Sequence, residues 1–140
     1  LIYQGKYNLL TRDPEKSHLE QCKQEGMGFT AFSPINQGLL TDKYLGGIPA
    51  DSRAGHSSPL LASMITPELV EKLRRLNELA KRRGQSLAHM ATAWILRREE
   101  VTSVIIGPRT VEQMQDSLCA IKSAPFCEEE LKEIDKILAK

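Results

Sequence analysis

An alternation constrains the fold of this chain more than any other feature: three short β-prone runs, each followed by helical patterns. Residues 1–4, 27–32 and 101–106 are apolar and rich in β-branched or aromatic side chains, which reads as strand. Tyr7-Asn8-Leu9-Leu10 reads as an extended continuation of the first. Asp13-Pro14-Glu15 marks a helix start, with Asp as cap, Pro at the first helical position and Glu suited to the helix dipole. That helix passes through Leu19 and Cys22 and stops near Gly26. Thr66-Pro67-Glu68 opens a second helix, whose apolar face is Leu69, Leu73, Leu76, Leu79 and Ala80 and whose stop is Gly84. Ser86 caps the next, where Leu87, Met90, Ala91, Trp94 and Ile95 recur at helical spacing. Trp94 lies on that stripe and reads as core rather than as a ligand contact. Residues 110–120 form a helix carrying Val111, Met114 and Leu118, with Ile121 just beyond it. A last helix begins near Glu128 and turns Leu131, Ile134 and Leu138 inward. Residues 33–65, with seven Gly and Pro among them, read as a long irregular stretch of the functional or mobile kind.

Alternating β and α units imply parallel strands joined by right-handed crossovers. Three strands alone leave two long edges and too little sheet cover. The pattern therefore asks for further strands and reads as part of a larger α/β fold, either a barrel or an open sheet. Leu1 stands inside an apolar segment, so the chain is expected to be a piece of a longer protein.

Length and composition bound the function classes. The 140 residues suffice for one core, and 26% charged with 41% hydrophobic residues reads as a soluble globular chain. A net charge of +1 makes no case for nucleic acid or an anionic membrane, and no apolar run approaches the ~20 residues that cross a bilayer. The start carries no secretory-signal pattern. Cys22, Cys119 and Cys127 are odd in number and widely spaced, which suits neither a disulfide framework nor a zinc site and fits a reducing cytoplasm. His18, His56 and His89 read as surface or loop residues, none of them a metal ligand.

Residues 101–113 carry the chemistry most open to reading: strand, Gly107, Pro108, Arg109, then the helix start at Thr110. A glycine turn into a helix presents unpaired N–H groups at the positive end of the dipole, and Arg109 adds forked donors, together a site for phosphate. The same residues admit a plainer account. Thr110 and Gln113 form an S/T-x-x-E/Q capping box that needs no ligand, and Arg109 then serves as a solvated charge.

The segment Ala31-Phe32-Ser33-Pro34-Ile35-Asn36-Gln37-Gly38-Leu39-Leu40-Thr41-Asp42-Lys43-Tyr44 resembles the loop after the seventh strand of aldo-keto reductases. Tyr3-Gln4 with Tyr7-Asn8-Leu9-Leu10, Asp51-Ser52-Arg53 and residues 103–113 follow the same family in order and spacing, in the branch that includes the β subunits of voltage-gated potassium channels and similar bacterial reductases. The resemblance covers nearly the whole chain. It implies an α/β fold, the C-terminal part of a (β/α)8 TIM barrel made of the last three βα units and a terminal helix. Residues 1–140 would then be the C-terminal portion of a single barrel domain, with NADPH at the barrel's C-terminal mouth.

The resemblance also implies roles. Gln4 would hydrogen-bond the nicotinamide carboxamide, and Phe32 would stack on its ring, where relatives often carry Tyr or Trp. Ser33, Pro34, Ile35, Gln37 and Gly38 would wrap the pyrophosphate, with Lys43 supplying charge and Arg53 covering the adenine end. Gly107, Arg109 and Gln113 would surround the 2′-phosphate and ribose, with Asp116 and Ser117 beside the adenine; relatives more often have Asn where Ser117 stands. Taken singly, Ser33-Pro34 is an ordinary strand-ending turn, Lys43 and Arg53 are solvated charges, and Asp116 and Ser117 fall on the polar side of their helix.

The implied reaction is reduction of an aldehyde or ketone by NADPH, with a tyrosine as proton donor tuned by an aspartate, a lysine and a histidine. Those four lie on earlier strands in the family, and Tyr3, Tyr7 and Tyr44 do not stand at the catalytic tyrosine's position. No catalytic residue and no metal ligand is therefore expected here. The expected partners are a small carbonyl substrate and the N-terminal half of the barrel, with no nucleic acid and no membrane insertion; homo-oligomerisation stays open. Three readings follow: the cofactor-binding part of a reductase, a regulatory subunit of the channel β type, and an inactive truncated product.

Overall fold

The computed structural model describes residues 1–139. Three parallel strands, β1 (Ile2–Lys6), β2 (Gly28–Phe32) and β3 (Val101–Val104), lie side by side in chain order. Gln4 stands opposite Thr30, and Lys6 opposite Phe32; Thr30 in turn pairs with Ser103 after a register shift at Phe29/Thr30. Chain order across a parallel sheet is what a barrel wall requires, whereas a doubly wound sheet reverses direction at its switch point.

The β1–β2 crossover is a 3₁₀ turn, Asp13–Lys16, followed by α1 (His18–Gln24). It departs from the expected start in its cap. Arg12 takes the cap position, Pro14 sits in the first turn, and the Asp13 carboxylate pairs with Lys16 at 2.7 Å. Gly26 ends α1 with φ 64°, as a C-terminal glycine should. Residues 7–10 are also not extended. Asn8 and Thr11 exchange backbone hydrogen bonds across a tight turn, and the Asn8 side chain accepts from the N–H groups of Leu10 and Thr11. An Asx-type turn of this kind competes directly with strand continuation.

Four helices lie between β2 and β3: α2 (Arg53–His56), α3 (Pro59–Met64), α4 (Pro67–Arg82) and α5 (Leu87–Leu96). The first two fall in the stretch expected to be irregular. Ser52 caps α2 by accepting from Gly55 N–H at 3.1 Å, and Ser58 caps α3 by accepting from Leu61 N–H at 3.3 Å. Leu39, Tyr44, Ala54 and Leu61 give this stretch a small buried cluster of its own. Gly55 is required there, because any side chain would collide with the Pro49 carbonyl. Thr66 and Ser86 cap α4 and α5 as expected, and Leu73, Leu76, Leu79, Met90 and Trp94 form the main core with Tyr7, Leu19 and Phe29.

Trp94 is buried, with the Arg97 guanidinium 3.9 Å and that of Arg12 5.1 Å from its ring. The Tyr7 ring packs on Trp94, and its hydroxyl donates to Glu15 at 2.7 Å. Burial first, and then that bond to Glu15, push the Tyr7 phenol up to about 12. Tyr7 therefore stays protonated at neutral pH.

After β3 come α6 (Val111–Cys119), a 3₁₀ turn Ala120–Lys122, and α7 (Glu128–Leu138). β3 ends two residues short of the expected run, although Ile105 N–H still donates to Ala31 at 2.8 Å. α7 packs Ile134 and Ile137 into the core. The apolar stripe of α6 does not follow. Val111, Met114, Leu118 and Ile121 all remain exposed, and no residue of α6 is buried. His89 also differs from expectation: it is half-buried, with Nε2 2.7 Å from Ser123 Oγ. Cys22 is buried, while Cys119 and Cys127 are exposed.

Candidate functional site

The carboxyl ends of β2 and β3 open into one cavity of about 700 Å³. Loops at this end of parallel strands are where α/β folds place ligands, because strand ends and helix N-termini converge there. Phe32 ends β2 at the cavity wall, and residues 33–38 then turn sharply. Ser33, Asn36 and Gln37 hold positive φ values of 56°, 45° and 60°, and Gly38 reaches 93°. Each non-glycine residue in that region costs on the order of 1–3 kcal/mol, and such strain concentrates at sites that position a ligand.

The second wall follows β3. Ile105, Ile106, Gly107 and Pro108 lead to Arg109 and α6. Thr110 caps the helix by accepting from Gln113 N–H at 3.2 Å, while Gln113 Oε1 accepts from Arg109 N–H at 2.8 Å. The expected capping box is thus displaced by one residue on its return arm, and Gln113 helps fix the backbone of the arginine. Deeper along α6, Asp116 and Ser117 face the same cavity.

Every site residue expected from the sequence lines this cavity except Gln4, which sits exposed on β1 beside Thr30. Lys43 and Arg53 come from the structured loop before α3, where Ser52, buried and bonded to Pro49 and Gly55, fixes the start of α2. The sequence reading missed a third wall, made by the end of α4 and the start of α5. Asn77, Lys81, Gln85 and Ser86 line it. A signal existed for Asn77, a polar residue interrupting the apolar face between Leu76 and Ala80, and it is nearly buried. Lys81, one helical turn further along, carried none.

Charge is unevenly distributed around the cavity. Lys43, Arg53, Lys81 and Arg109 line it against two carboxylates, Asp42 and Asp116. Among the described residues none of these four cations forms an ion pair. Asp116 is already engaged: Ser86 Oγ donates to it, and His89 Nδ1 lies 3.7 Å from its other oxygen. Cations left without protein partners around a concave site favour an anionic ligand with several charges. Among the described residues no group of three His, Cys, Asp or Glu side chains is placed to hold a metal ion. No helix among them is long and apolar enough to cross a membrane.

Parallel strands in chain order with a basic cavity at their carboxyl ends are the arrangement of part of a β/α barrel. The sequence model of the aldo/keto reductase family matches residues 1–139, and the chain belongs to that family of barrel oxidoreductases. It is 44% identical to L-glyceraldehyde 3-phosphate reductase of Escherichia coli K12, over 99% of this chain and 42% of that protein. It is 36% identical to a putative voltage-gated potassium channel subunit beta of Schizosaccharomyces pombe, over 96% of this chain and 41% of that protein. An uncharacterised oxidoreductase of Bacillus subtilis is 37% identical over 85% of this chain and 35% of its own length. The chain thus spans about two fifths of the length of these curated relatives.

Proposed function

We propose that this chain is the cofactor-binding C-terminal part of an NADPH-dependent reductase that converts aldehydes or ketones to alcohols. The observation that carries the reading is the cavity at the ends of β2 and β3, which gathers the strained 33–38 loop, the N-terminus of α6 and four cations without ion-pair partners among the described residues. A dinucleotide with a pyrophosphate and a 2′-phosphate is an anion of that kind. When bound, the cofactor supplies a hydride.

The chain's own residues bind and orient. Phe32 offers a flat apolar face at the end of β2. Ser33, Pro34, Ile35, Gln37 and Gly38 bring backbone close to a pyrophosphate, Lys43 supplies charge to it, and Arg53 covers the adenine end. Arg109 and Gly107 receive the 2′-phosphate at the start of α6, beside Gln113. Asp116 and Ser117 meet the adenine. Gln4 reaches the nicotinamide amide from β1. Among the described residues none is assigned as the proton donor: Tyr7 lies outside the cavity lining, and its hydroxyl donates to Glu15. The proton donor and its aspartate, lysine and histidine partners belong to the barrel strands that precede this part.

The E. coli relative acts on a phosphorylated aldehyde by its name. The fission yeast relative supports a second reading, a regulatory subunit in which the bound cofactor's redox state is the signal. Steady-state turnover of a carbonyl panel by the complete protein separates the two.

Calorimetric titration of the chain with NADPH, and with NADH as control, tests the binding claim. Saturable binding that favours NADPH is the expected result. Equal binding of both sinks the 2′-phosphate assignment, and binding of neither means that the site does not form without the rest of the barrel.

A further inference from the structure

Asn8 is fully buried in the turn after β1 and lies outside the cavity lining. Its side chain makes three hydrogen bonds. Oδ1 accepts from Leu10 N–H at 2.9 Å and Thr11 N–H at 2.8 Å, and these close its own turn. Nδ2 donates to the Ser33 carbonyl at 2.9 Å, crossing from one βα unit to the next. The same carbonyl accepts from Asn36 N–H at 3.0 Å, so it is the pivot of the 33–36 turn.

The two ends of this bond have different needs. The turn after β1 uses only an acceptor, which aspartate could supply as well as asparagine. The amide donor is used only by Ser33. Ser33 opens the loop that holds Ser33, Asn36 and Gln37 at positive φ, all the non-glycine residues in that state among the described residues. Side chains resist that region, so such a loop relaxes unless a contact from outside over-determines it. A buried amide that makes three hydrogen bonds is a contact of that kind, since breaking one strands a polar group away from water.

We propose that Asn8 is a positioning residue which, acting through the Ser33 carbonyl, holds residues 33–38 in their ligand-ready conformation before any ligand arrives. The consequence for binding rests on the cofactor reading above; the effect on the loop does not. A cradle set in advance meets the cofactor's phosphates without an ordering cost at the moment of binding.

The test uses Asn8→Asp, which keeps the acceptor and the size but turns an oxygen toward the Ser33 carbonyl. Residue-resolved amide exchange on the whole chain, with no ligand, reads the outcome. The Asn36, Gly38 and Leu40 amides are expected to exchange at least about tenfold faster, while Leu10 and Thr11 keep their protection. Adding Ser33→Gly restores the loop amides, because glycine holds positive φ without penalty. NADPH affinity is expected to fall at least about tenfold in Asn8→Asp. Unchanged loop protection overturns the proposal. So does a uniform loss over the whole chain that Ser33→Gly leaves untouched, because that marks Asn8 as a purely structural residue. If the unaltered chain binds no NADPH, the site does not form without the rest of the barrel, and the exchange measurement still decides the role of Asn8.

Discussion

At the scale of single residues, charge partners separate function from stability. Among the described residues Arg109 has no ion-pair partner, and its backbone N–H is held by Gln113 at 2.8 Å, so the side chain is presented on a fixed stem. Arg109→Ala should weaken NADPH binding by about tenfold or more, the worth of a charge-assisted phosphate contact, and leave NADH nearly unchanged, as read by calorimetry. Arg83 is the opposite case. Its side chain is 6% exposed and bonded to Glu130 at 2.6 Å and to the Ala124 carbonyl at 2.7 Å, and its guanidinium lies 3.9 Å from the Phe126 ring. Burial works to raise the Glu130 pKa, but the Cys127 N–H and the Arg83 charge outweigh it and hold the carboxyl below its ordinary value. A carboxylate with a lowered folded-state pKa contributes stability above the ordinary glutamate range and loses it as pH falls through the lowered value. Glu130→Gln should therefore cost about 1–2 kcal/mol at pH 7, and the variant should converge with the parent in acid. Urea melts at several pH values measure both.

At the scale of elements, α6 is the helix that the chain itself does not finish. Its cap is sound and its spacing amphipathic, yet Val111 and Ile121 are 68% and 72% exposed. Its polar ties to α5 run through Asp116: Ser86, the α5 cap, donates to it, and His89 Nδ1 lies 3.7 Å from its other oxygen. Amide exchange should accordingly be faster in α6 than in α5, which is buried through Met90, Trp94 and Ile95, and should slow when the preceding barrel strands are present. α6 also shows how far the elements were legible in the sequence. α4 and α5 read clearly because cap, stripe and stop agree. For α6 the period gave the helix but not its environment, since no partner for its apolar stripe lies in the described residues. α2 and α3 were unreadable because helices of four and six residues show no period. The 7–10 turn was misread because Asn8 serves the backbone through its side chain, which strand propensity does not register. The cavity walls at 33–38 and 107–109 were legible, the first through the family resemblance and the second also through its Gly-Pro-Arg corner, while Lys81 on an ordinary polar helix face was not.

At the scale of the whole molecule, the sheet is open on both sides. Leu1, Ile2 and Tyr3 are exposed along β1, and Ile105 continues the outer edge of β3. Unpaired strand edges beside apolar surface are templates for association. The chain by itself should therefore self-associate with rising concentration and bind an apolar dye, and both should be suppressed when it is expressed joined to the barrel strands that precede it. Analytical ultracentrifugation and dye fluorescence check this. A monomer that takes up no dye would mean that these edges are covered from within the chain.

The neighbours in the sheet also differ in how far apart the chain places them. β1 meets β2 across one short crossover, but β3 reaches β2 only after α2, α3, α4 and α5. Closing a long loop costs entropy before its contacts return any energy. β1, α1 and β2 therefore assemble early, and β3 is the late strand. The Gly107–Arg109 corner that follows β3 is then the last part of the cavity to exist, and any charge placed on Lys43 or Arg53 waits for it.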